Sequence, residues 1–142
     1  MTIAELEIFL EREFPQEFAQ ATSRFSIRSL EWMAALVGFD AGTRHLRPGG
    51  TVSGPTLMMV ADATMYILVL AHIGPVPLAV TTNLNINFLR RPSPGVLLAR
   101  ARLLKLGRAL AVGDVTLVSA EAPDVVLAHA TCTYALPPEK LR

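Results

Sequence analysis

The sequence predicts an α+β domain in which a curved antiparallel sheet wraps around one long apolar helix. Three observations carry this. Residues 57–71 are the longest apolar run in the chain, with Ser53, Gly54 and Pro55 ahead of it and Gly74, Pro75 and Pro77 behind it. From Leu78 to Phe88 the even positions read Leu, Val, Thr, Leu, Ile, Phe, which is the period-two pattern of a half-buried strand. Short turn sequences then separate three further strand-like runs as far as residue 136. A helix that is apolar on nearly all sides must be covered on nearly all sides. A strongly curved sheet does this, and a second subunit can cover what remains.

The elements follow in order. Residues 2–13 form an amphipathic helix with Ile3, Leu6 and Leu10 on one face, and Pro15 can open a short second turn, so 1–20 is a helical segment. Residues 25–38 alternate in part, a run ambiguous between helix and strand that is read as strand, so one or two strands precede the helix. Residues 40–54 are rich in glycine and turn formers and form a loop. Ser53 or Gly54 caps the central helix and Pro55 suits its first turn, which places the helix at 55–73. The strands run over 78–88, 96–106, 109–119 and 125–136, turned by RRPSPG (90–95), by Leu106-Gly107-Arg108 and by EAPD (121–124). Short turns between successive strands imply antiparallel neighbours.

With 142 residues the chain makes one domain, 1–142, large enough to hold a core without disulfides or metals. Lys plus Arg total 13 and Asp plus Glu 12, so no strong basic field exists for nucleic acid. The single cysteine, Cys132, excludes an intramolecular disulfide and reads as a small core residue of a strand. His45, His72 and His129 lack metal-ligand spacing, and no metal or cofactor is expected. His72, near the end of the helix, suits the helix dipole. The acidic residues near the start argue against a secretory signal, and the 57–71 run is short for a membrane span. A soluble cytoplasmic protein is expected.

One residue conflicts with a plain core helix. Asp62 lies in the middle of the apolar run, where a carboxylate costs several kcal/mol unless it is paired or used. A nearby hydroxyl such as Thr64 would be a sufficient partner; acid–base chemistry is the alternative.

The glycine-rich loop, the helix and the segment TTNLNINFLRRP together resemble the hotdog-fold acyl-CoA thioesterases, most closely the phenylacetate-degradation type, over roughly residues 25–136. That family carries His-Gly-Gly at the start of its central helix and an acid seven residues after the second glycine. It also has a strand ending in Asn-Ile-x-Phe or Tyr. Asp62 matches the acid and Asn85-Ile86-Asn87-Phe88 the strand. Ser53-Gly54-Pro55 stands where the family has His-Gly-Gly, so the middle glycine is kept and its neighbours are replaced. Arg47-Pro48 stands where some members have an assisting asparagine. A Ser or Thr used by some members aligns with Thr81, although strict alternation puts Thr82 on the apolar face.

The resemblance implies thioester hydrolysis. The Gly54 N–H would polarise the carbonyl, Asp62 would act as general base or nucleophile, and Thr81 would orient water or carboxylate. Ser53 and Pro55 would border the substrate, and Arg90 and Arg91 could meet the phosphates of CoA. Ser53 also reads simply as a helix cap, and the arginines as solvated turn residues. Gly54 and Asp62 lie eight residues apart on one helix, roughly 12 Å at 1.5 Å per residue. One thioester cannot touch both within a chain, so the mechanism requires a homo-oligomer with shared sites. Two other readings stand beside it. One is a non-catalytic acyl-CoA or lipid-binding module. The other is a hydratase, which would usually pair the Asp with a His, where this chain has Ile67.

Overall fold

Ser53 stops the chain from entering the helix too early. Its hydroxyl accepts a hydrogen bond from the Thr56 N–H at 3.3 Å, and helix α3 (Gly54–Ile73) starts there. Pro55 occupies the first turn, where its missing N–H costs nothing, and Gly74 ends the helix at φ +93°, a conformation open to glycine. The computed structural model describes residues 1–142. At 20 residues and a mean hydropathy of 1.7, α3 is long and apolar enough to cross a membrane. The apolar run alone is shorter, but the helix adds a turn before it and two residues after it. Here 61% of its most apolar window is buried inside the fold.

The partner of α3 is one six-stranded antiparallel sheet in the order β1-β2-β4-β5-β6-β3, formed by β1 (Phe25–Glu31), β2 (Ala34–Ala41), β3 (Val80–Phe88), β4 (Gly95–Leu106), β5 (Leu110–Ser119) and β6 (Ala122–Ala135). The sheet curves around the helix, which packs against β2, β3, β4, β5 and β6. Alanines at 99, 101, 128 and 130 keep the facing surface of β4 and β6 thin, and all four are buried. At Gly113 of β5 an added Cβ would lie 2.6 Å from the Met65 methyl, so Met65 fills the notch that glycine leaves. Helix α1 (Ile3–Glu13) opens on a capping box between Thr2 and Glu5 and buries Leu6, Phe9 and Leu10. The one-turn helix α2 (Pro15–Phe18) follows directly.

Three expectations are corrected. Residues 25–41 form a hairpin, β1–β2, so the run read as strand holds a turn and two strands precede the helix. Its turn, Trp32-Met33, contains none of the usual turn residues, and Met33 sits at φ +61°. Tertiary contacts hold it instead. His72 Nε2 accepts from the Met33 N–H at 3.0 Å, and the Trp32 ring lies 5.2 Å from the His72 ring. The loop expected at 40–54 accordingly begins later, after Ala41, and contains a 3-10 turn at Thr43–His45.

Second, β3 does not pair with β4. The segment between them carries Pro92 and Pro94, which disfavour a tight hairpin ladder, and it crosses the end of the sheet so that β3 pairs with β6 at the far edge. Three strand spacings, roughly 14 Å, are within reach of that link. Third, β6 begins at Ala122, and the chain turns at residues 120–121 rather than over 121–124. The remaining strand ends fall within two residues of expectation.

Candidate functional site

Asp62 leaves the α3 surface towards the β3–β6 edge of the sheet, and two hydroxyls reach the same carboxylate oxygen. Thr81 Oγ1 donates to Oδ1 at 2.6 Å and the Tyr134 hydroxyl donates to Oδ1 at 2.6 Å. Tyr134 also lies 3.0 Å from the Asp62 main-chain oxygen. Oδ2 takes no protein donor. Asp62 is half-buried rather than fully enclosed, and Thr64 is not its partner, since the Thr64 hydroxyl is bonded to the Val60 carbonyl at 2.7 Å.

The two donors are a single cross-strand pair, Thr81 of β3 opposite Tyr134 of β6. A bulge between Thr81 and Asn83 creates this pairing. Beyond it, Leu84 faces Cys132 and Ile86 faces Ala130, so an unbroken ladder would have set Thr82 opposite Tyr134. The extra residue moves Thr81 onto the helix-facing side and leaves Thr82 to bond the Thr133 carbonyl at 3.2 Å. The conflict between alternation and family alignment is thus settled in favour of Thr81 as the neighbour of Asp62.

Burial, and then the charge of Asp62, push the Tyr134 hydroxyl far above its ordinary pKa, so it remains a protonated donor. Cys132 is buried as expected, and burial with the charges of Asp62 and Asp114 raises its thiol to about 12, which leaves it inert at neutral pH. The carboxylate opens into a cavity of about 510 Å³ whose other walls are mainly apolar, among them Met59, Ala63, Tyr66 and Val80.

The second part of the site lies at the start of α3. Pro55 has no N–H, the Thr56 N–H is bonded to Ser53 Oγ, and the Leu57 N–H is bonded to the Ser53 carbonyl at 3.2 Å. The Gly54 N–H is therefore the one free donor of the first turn. A Cβ on Gly54 would meet the Phe88 ring at 3.3 Å, so glycine lets that ring lie against the helix start. Gly54 lines a cavity of about 240 Å³ with Phe88, Arg47, Arg90 and Arg91. Arg90 Nη1 is bonded to the Val126 carbonyl at 2.8 Å, which holds its guanidinium at this rim. Ser53 Oγ is occupied with capping and lies 2.8 Å from Thr56 Oγ1, and Pro55 is exposed at the helix start. The structure thus brings Asp62 together with Thr81, and Gly54 together with Arg90 and Arg91.

Sequence reading missed Tyr134, and it placed Arg47 at the position of the family's assisting asparagine without assigning it to the substrate. Tyr134 lies 72 residues from Asp62 and looks like any core aromatic of a strand, so no local signal marks it. A second acid, Asp114, is more buried than Asp62 and is held by Arg102 at 2.8 and 3.2 Å and by His129 at 3.1 Å. Burial raises its pKa, but the hydrogen bonds and charges of Arg102 and His129 outweigh this and hold it below the ordinary value. With every partner in place, Asp114 reads as structural.

A family model described as the thioesterase superfamily matches residues 49–125. Among solved structures, a candidate thioesterase from Silicibacter sp. TM1040 is 46% identical, with a TM-score of 0.85, covering 97% of this chain and 93% of its own. A candidate thioesterase from Ralstonia eutropha JMP134, described as phenylacetic acid degradation-related, is 28% identical with a TM-score of 0.78, covering 93% and 99%. A Streptococcus mutans UA159 protein whose structure holds acetyl CoA is 25% identical with a TM-score of 0.70, covering 80% and 89%. No curated protein matches the sequence.

Proposed function

This chain belongs to the thioesterase superfamily and is a thioester hydrolase with the hotdog fold, and from that premise we propose that it hydrolyses a small, medium-chain or aromatic acyl-CoA with Asp62 as general base. The observation that carries this reading is the state of the carboxylate. Two hydroxyls fix Oδ1, and Oδ2 is free in a mostly apolar cleft. Such a group holds a water and takes its proton as the oxygen attacks the thioester carbon. The C–S bond then breaks, and the departing CoA sulfur takes up a proton.

The developing oxyanion needs a donor that is not already used, and the Gly54 N–H at the positive end of α3 meets that need. Gly54 and Asp62 of one chain are too far apart along the helix to serve one carbonyl, so the site pairs Asp62 of one subunit with the helix start of a second copy. The exposed edge strand β3, with Val80 and Phe88 uncovered, and exposed Met58 on α3 suit that contact. The S. mutans relative with acetyl CoA supports a CoA-bearing substrate, and Arg47, Arg90 and Arg91 beside Gly54 supply the charge its phosphates require.

The test is thiol release from a panel of short, medium, long and aromatic acyl-CoAs by the wild type and by Asp62→Ala. The expected result is wild-type turnover and a loss of at least about a hundredfold in kcat for the variant, the scale of a missing general base. Equal rates would remove Asp62 from the mechanism. Tight binding of acyl-CoA by the wild type without thiol release would instead establish a binding module.

A further inference from the structure

We propose that the α1–α2 unit is the gauge of the acyl subsite: Phe14 and Phe18 form its far wall and set the longest acyl chain the enzyme accepts. The subsite takes uncharged apolar acyl groups. This rests on the thioesterase reading in placing the reacting carbonyl beside Asp62. The cavity that holds Asp62, Thr81 and Tyr134 continues without interruption to Phe14, Glu17 and Phe18. A row of rings orders it. Tyr134, bonded to Asp62, stacks against Tyr66 at 6.0 Å, and the Phe14 ring stands edge-on to Tyr66 at 5.7 Å. Tyr66 is one helical turn, roughly 6 Å, beyond Asp62. Phe14 therefore lies past the carboxylate, where the distal end of an acyl group would arrive.

The wall is fixed rather than loose. Leu6, Phe9 and Leu10 anchor α1 in the core, and Phe18 stacks on Phe25 at 4.9 Å. The lining carries two carboxylates, Asp62 and Glu17, and no cation, so an acyl group ending in its own carboxylate meets like charge without a counterion. Residues 14–18 lie outside the stretch 49–125 that matches the family model.

Binding of S-alkyl-CoA thioethers, from S-ethyl to S-dodecyl, measures the gauge without turnover. In the wild type, affinity should rise about fourfold per methylene up to a limiting length and then stop rising. Phe14→Ala and Phe18→Ala should move that limit outward by two methylenes or more, a gain of at least about 16-fold in the ratio of long-chain to short-chain affinity. Phe14→Trp should move it inward, a direction that loss of folding cannot imitate. The ω-carboxy analogue should bind at least about tenfold more weakly than its methyl-ended counterpart, and Glu17→Gln should narrow that gap. An unmoved limit in all three phenylalanine variants, or a change by one factor at every chain length, overturns the proposal. Full thiol release by Asp62→Ala would strike the catalytic reading alone, because the thioether series does not depend on it.

Discussion

Replacing Tyr134 by Phe removes one oxygen and nothing else. The ring keeps its place against Tyr66 and the buried surface is unchanged, while Asp62 Oδ1 loses one of its two donors at 2.6 Å. A hydrogen bond to a charged group is worth about 1.5–3 kcal/mol. If that interaction holds the carboxylate in its working position, its loss appears in the transition state, as a fall in kcat of roughly 10- to 150-fold. The substitution keeps the ring that lines the cavity and removes only the hydroxyl spent on Asp62, so KM should stay within about twofold. The assay is steady-state thiol release on the best acyl-CoA of the panel, with a thermal melt alongside. Thr81→Ala should give a loss of the same order, and the double variant should lose more than either single one. A Tyr134→Phe enzyme with wild-type kcat, or one whose loss lies in KM alone, would refute the claim that the paired hydroxyls position the base.

Three further outcomes are expected. Gly54→Ala presses a methyl against the Phe88 ring at 3.3 Å and shifts the free N–H, so kcat should fall at least about tenfold; an unchanged kcat would exclude this N–H as the carbonyl donor. Joint replacement of Arg47, Arg90 and Arg91 by Ala should raise KM for acyl-CoA about tenfold and flatten its salt dependence. A truncated N-acetylcysteamine thioester, which lacks the phosphates, should be unaffected, and equal harm to both substrates would contradict the assignment. Burial first, then the charges of Arg44 and Arg24, lower the pKa of His45 from its ordinary 6.5. Above that value the imidazole is neutral in both states; below it the unfolded chain takes a proton that the folded chain resists. Stability should therefore fall as pH drops from about 6.5 towards the lowered native value, read as a falling urea midpoint. His45→Gln should flatten that fall, and a midpoint that holds or rises on acidification would contradict the shift.

What could be read from the sequence depended on how local its cause was. The cap at Ser53, Pro55 and the stop at Gly74 act within a few residues, and α3 was legible to within one. The Trp32-Met33 turn was not, because His72, 39 residues away, holds Met33 where a glycine or asparagine would ordinarily be needed. The pairing of β3 with β6 is a property of the whole sheet, which neighbouring turns do not encode. Asp62 announced itself through the cost of a carboxylate in an apolar run. Of its two donors, Thr81 was legible through the family alignment and Tyr134 was not. Thr81 reaches it only through a bulge that defeats strict alternation, and Tyr134 is distinguished from other core aromatics only by where β6 lies.

The notch at Gly113 turns the hydrophobic core into an indexing device. With the Met65 side chain seated in it, a roll of α3 on the sheet would press that side chain against the β5 backbone and force its terminal methyl to move. A roll of about 20° would carry a side-chain tip on a helix of 10–12 Å diameter through roughly 2 Å, enough to pull Asp62 off both hydroxyls. Gly113 thus helps set the angle at which α3 presents the carboxylate, acting through Met65, three residues along the helix from Asp62.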